Sequence, residues 1–78
     1  MKILIVDDEK KIREVIKEYC LEEKYEVDEA KDGFEALEKL STIRYDLLVL
    51  DIMMPKMDGF SLLEKLDINR KIPTIILS

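Results

Sequence analysis

The 78-residue sequence holds a single cysteine and no histidine. One thiol excludes an internal disulfide and fits a reducing, cytoplasmic setting. With no second Cys and no His there is no ligand set for a soft metal, so Met53, Met54 and Met57 read as flexible gap-fillers. Glycine and proline are scarce, two of each, which argues against a disordered chain. Long apolar runs are missing too. Ile3–Val6 and Leu47–Leu50 are far short of a membrane span. Met1-Lys2 leads straight into the first of these runs and then into acids, a pattern without a secretory signal. No basic stripe exists: thirteen Lys and Arg are scattered against eighteen Asp and Glu, for a net charge of -5. Such a surface suits nucleic acid poorly, because cations must replace the counterions of the phosphates. DNA would be reached only through an output domain that this sequence does not contain.

What is present is an alternation of apolar runs and helical patterns. Ile3–Val6 reads as a strand buried on both faces. Ile12, Val15, Ile16, Tyr19 and Cys20 then recur at helical spacing and predict one face of a helix of about four turns. Tyr25–Ala30 alternates apolar and polar, as an edge strand does. Asp32-Gly33 marks a turn before a short helix lined by Phe34, Leu37 and Leu40. Leu47–Leu50 is a second fully apolar strand. After a loop containing Pro55, Asp58 can cap a third helix bearing Phe60, Leu63 and Leu66. Pro73–Leu77 reads as a fourth strand. The order β-α-β-α-β-α-β over residues 1–78 predicts an α/β fold with a parallel sheet, right-handed crossovers and three helices. The last strand is apolar on both faces and no helix follows it, so the sequence reads as the first part of a larger domain.

Three carboxylates stand where two buried strands end. Asp7 and Asp8 follow Ile3–Val6, and Asp51 follows Leu47–Leu50. Open α/β sheets bind ligands beyond the carboxyl ends of their strands. If those two strands are neighbours, the acids converge, and such a group needs a cation or a retained proton. Oxygen ligands in this number suit Mg²⁺. The bland alternative is capping: Asp8 and Glu9 lie at a helix start, where acids are favourable on their own. Asp51 precedes a loop, so capping does not account for it.

Four segments carry a resemblance. Ile3–Glu9, Asp32–Leu37, Asp46–Pro55 with Met57-Asp58-Gly59, and Ile72–Ser78, in that order, resemble receiver domains of two-component response regulators across the whole chain. The resemblance implies a truncated flavodoxin-like fold of strand order 2-1-3-4. Asp51 matches the phosphoacceptor that takes a phosphoryl group from a sensor histidine kinase. Asp8 matches a direct Mg²⁺ ligand, and Asp7 its partner, often acting through water. Met53 matches the residue that lends a backbone carbonyl to the metal, and Ser78 the switch hydroxyl. A family member would continue with a further strand bearing a phosphoryl-contacting Lys, which is not in this sequence.

These features imply a cytoplasmic phosphorelay module and not an enzyme. Two other functions compete. An aspartyl phosphohydrolase would resemble this site but would carry an acid two residues after its nucleophile, where this chain has Met53. A truncated receiver could also serve only as a dimerising module. Without the Lys, phosphorylation should be slower by a factor on the order of 10²–10³. A homodimer is expected, through the edge of the fourth strand or the apolar surface beside the first helix.

Overall fold

The computed structural model describes residues 1–51 and 72–77. They form β1 (Lys2–Val6), α1 (Lys10–Glu22), β2 (Glu26–Ala30), α2 (Gly33–Thr42), β3 (Leu47–Asp51) and β4 (Thr74–Leu77). The four strands make one sheet in the order β2-β1-β3-β4, and every pairing is parallel. This is the expected order. The expected third helix lies outside the described residues. No helix among the described residues is long and apolar enough to cross a membrane.

β1 is central and buried because Ile3–Val6 place apolar side chains on both of its faces. Leu4 and Val6 point to one side, where they pack with Ala30, Leu48, Leu50 and, from α2, Ala36 and Leu40. Ile3 and Ile5 point to the other, against Val49 and the Ile16 and Cys20 side chains of α1. This is the period-two alternation of a strand between two helical layers. Each fully buried aliphatic side chain of this kind contributes about 1.5–3 kcal/mol.

Two expectations about helix faces need correction. Of the five apolar residues assigned to the packed face of α1, only Ile16 and Cys20 join the core. Ile12, Val15 and Tyr19 are 40%, 53% and 69% exposed. The apolar stripe is wide, and the helix rests on one flank of it. Phe34, expected to line α2, is likewise exposed, and Ala36 takes its place in the core beside Leu40, with Leu37 packed against them. Phe34 falls in the first turn of α2, beside the buried Gly33.

β2 is the edge strand its alternation predicted, yet its polar residues are engaged. Asp28 accepts a 2.5 Å hydrogen bond from the buried Tyr45 hydroxyl, and Glu29 pairs with Arg13 and Lys17 of α1. The Lys39 ammonium of α2 donates to the Glu29 carbonyl at 2.5 Å, so both helices grip this strand.

Candidate functional site

In the parallel register Val6 lies beside Leu50 on one side and Ala30 on the other. The residues that follow therefore emerge together at the carboxyl edge of the sheet. Asp7, Asp8 and Asp51 each bring a carboxylate oxygen within 4.8 Å of the others. Asp7 is buried, Asp51 half-buried and Asp8 exposed, so the group grades from core to solvent. The convergence expected if strands one and three are neighbours is what the fold produces.

Asp7 is fixed on three sides. Its amide continues the β1–β2 ladder to the Ala30 carbonyl at 3.1 Å. Its Oδ1 accepts the Glu9 amide at 2.9 Å, and its carbonyl accepts Arg13 Nη1 at 2.6 Å. Burial pushes its carboxyl above the ordinary 3.8. The negative charges of Asp51 and Asp8 and a hydrogen bond with the Asp8 side chain add to that, while the Glu9 amide opposes it. The start of α1 also answers the capping alternative. Glu9 is the N-cap residue and makes no side-chain capping bond, so the carboxylate that meets a helix-start amide is Asp7.

Three hard oxygen donors, one of them buried against like charges, fit a divalent cation of the Mg²⁺ type. Such an ion takes one or two carboxylates and keeps several waters. The Asp7, Asp8 and Asp51 carboxylates are the groups that would hold it. Met53, expected to lend its backbone carbonyl, and Ser78, expected as the switch hydroxyl, lie outside the described residues.

Sequence reasoning passed over Arg13 and Glu29, which tie α1 and β2 to the Asp7 carbonyl. One signal was available. Arg13 and Lys17, four apart, fall on the flank of α1 next to the Ile16–Cys20 line, where they face a neighbouring strand. Asp32 was read only as a turn. It caps α2 by accepting the Glu35 amide at 2.8 Å, and the Asp-x-x-Glu spacing was its signature.

The chain matches the family described as the response regulator receiver domain over residues 3–78. It is 47% identical to response regulator RR06 of Streptococcus pneumoniae, covering 100% of this chain and 36% of that protein. It is also similar to the response regulator TrrA of Thermotoga maritima solved in complex with Mg²⁺-BeF: TM-score 0.87, 44% identity, 96% of this chain and 64% of that one. A structure of histidine kinase ThkA in complex with TrrA gives a TM-score of 0.91 at 42% identity, over 99% of this chain and 67% of that one. The chain thus spans about a third of its curated relative and about two thirds of the solved chains. With a match over nearly its whole length, a shared strand order and three acids at the shared edge, the chain belongs to the response regulator receiver domain family.

Proposed function

We propose that this chain is the phosphoryl-accepting module of a cytoplasmic two-component signalling system, with Asp51 as the acceptor. The observation that carries the reading is the meeting of Asp51 with Asp7 and Asp8 at the carboxyl edge of the sheet. In the transfer, an Asp51 carboxylate oxygen attacks the phosphorus of a kinase phosphohistidine. A P–O bond forms as the P–N bond breaks, and the imidazole nitrogen keeps the electron pair. The product on this chain is an acyl phosphate. Asp7 and Asp8 would hold Mg²⁺, which when bound offsets the charge of the phosphoryl oxygens. The Mg²⁺-BeF complex of TrrA and its complex with ThkA support the metal and the kind of partner. Met53 and Ser78 keep their proposed roles as carbonyl ligand and switch hydroxyl.

The test is to treat the protein with acetyl phosphate and Mg²⁺ and follow the intact mass. One phosphoryl group should add to the wild type and none to Asp51→Asn. Labelling that persists in Asp51→Asn, or that does not depend on Mg²⁺, would overturn the assignment.

A further inference from the structure

We infer that Arg13 and Glu29 form a latch that sets the spacing of Asp7 and Asp8, a positioning pair that acts through the Asp7 backbone carbonyl. The inference rests on reading the three acids as a cation site. The Arg13 side chain is only 14% exposed, and its planar fork spans two elements. Nε donates to Glu29 Oε1 on β2 at 3.1 Å, and Nη1 donates to the Asp7 carbonyl at the exit of β1 at 2.6 Å. The β1–β2 ladder ends with the Asp7 amide on the Ala30 carbonyl. From there, among the described residues, the Arg13 side chain holds the backbone.

The carbonyl that Arg13 holds belongs to the peptide plane joining Asp7 to Asp8. That plane is rigid, so fixing its oxygen also fixes the direction in which the Asp8 backbone leaves. The Glu9 amide on Asp7 Oδ1 closes the other side of the turn. The two acids are therefore spaced by a backbone clamped at both ends.

Charge balance separates positioning from screening. The guanidinium is paired with Glu29, whose other oxygen, Oε2, pairs with Lys17 at 3.3 Å. Glu29 is itself anchored, because its own carbonyl accepts Lys39. Arg13 thus orders the acids without placing an unpaired cation where Mg²⁺ would compete with it.

The test is a Mg²⁺ titration followed by amide NMR shifts at Asp7, Asp8 and Glu9, with a thermal melt of each Mg²⁺-free variant. Arg13→Gln should weaken Mg²⁺ binding on the order of tenfold, the lower end for groups that orient metal ligands. Arg13→Lys should fall short of rescue, since a point-charge ammonium cannot bridge Glu29 and the Asp7 carbonyl as the fork does. Glu29→Gln should weaken binding in the same direction. Lys17→Gln removes an ion pair to Glu29 but leaves the carbonyl clamp, so it should bind like wild type. If Arg13→Gln fails to fold, Arg13→Lys and Glu29→Gln decide the matter. Lowered melting temperatures with unchanged Mg²⁺ affinity in those two would reduce the pair to scaffold and overturn the latch. A wild type that binds no Mg²⁺ would instead remove the cation reading and the latch with it.

Discussion

At the scale of the residue, Asp7 has the most consequential environment. Its carboxyl sits above 3.8 in the folded protein, with burial as the first cause. A folded state that binds the proton more tightly than the unfolded one is penalised while the group is ionised. Without Mg²⁺, ionised Asp7 therefore costs stability at neutral pH. The cost fades as pH falls through the elevated folded value and is gone below 3.8. Asp7→Asn should accordingly be more stable than wild type at pH 7 without Mg²⁺, and the gap should close on acidification. With saturating Mg²⁺ the order should reverse, because only the wild type keeps the ligand. Urea titrations across pH with and without Mg²⁺ would check this, and an Asn variant less stable than wild type at pH 7 without metal would refute it. The acids were legible in sequence because each stands next to an all-apolar strand, where a carboxylate has no packing role. Arg13 was less so: its spacing from Lys17 places it on a strand-facing flank and within reach of an acid such as Glu29, but its bond to a backbone carbonyl leaves no partner residue type to look for.

At the scale of the element, α1 shows what periodicity does and does not encode. The 3.6-residue repeat of Ile12, Val15, Ile16, Tyr19 and Cys20 established the helix and its length. It did not establish the helix's rotation on the sheet, which depends on neighbours the repeat does not mention. The C-terminus of α1 is set by a different device. The Tyr25 amide reaches back to the Cys20 carbonyl at 3.1 Å and the Lys24 amide to Leu21 at 2.9 Å, the paired bonds of a Schellman stop. Lys24 occupies the left-handed position at φ 61°, where a Cβ costs roughly 1–2 kcal/mol. Cys20 and Tyr25 both pack against the Ile3–Ile5–Val49 cluster, as the motif's apolar contact requires. Lys24→Gly should stabilise the fold by about 0.5–1 kcal/mol, the relief exceeding the added chain entropy of glycine. A lower urea midpoint for the glycine variant would count against this account of the turn.

At the scale of the whole molecule, the alternation of patterns predicted the parallel sheet, and the family resemblance implied its strand order. It did not tell how much of each face would be covered. Among the described residues Val15 and Tyr19 on α1 and Ile75 and Ile76 on β4 are about half exposed or more. Apolar surface of this kind can be buried against further polypeptide, and we propose a two-fold dimer, the commonest closed form. Light scattering over a concentration series should show a dimer that Tyr19→Glu or Ile75→Lys shifts toward monomer. A folded monomer at every concentration would exclude it. The central position of β1 bears on synthesis as well. Its native partners, Val27–Ala30 and Leu47–Leu50, are translated only after it, so the most buried strand of the finished fold waits longest without neighbours. During that wait Ile3–Val6 is an aggregation-prone segment, and Lys2 on one side with Asp7, Asp8 and Glu9 on the other bracket it with charge. The aspartates that gather at the sheet's edge in the folded protein thus also act as gatekeepers of the nascent chain.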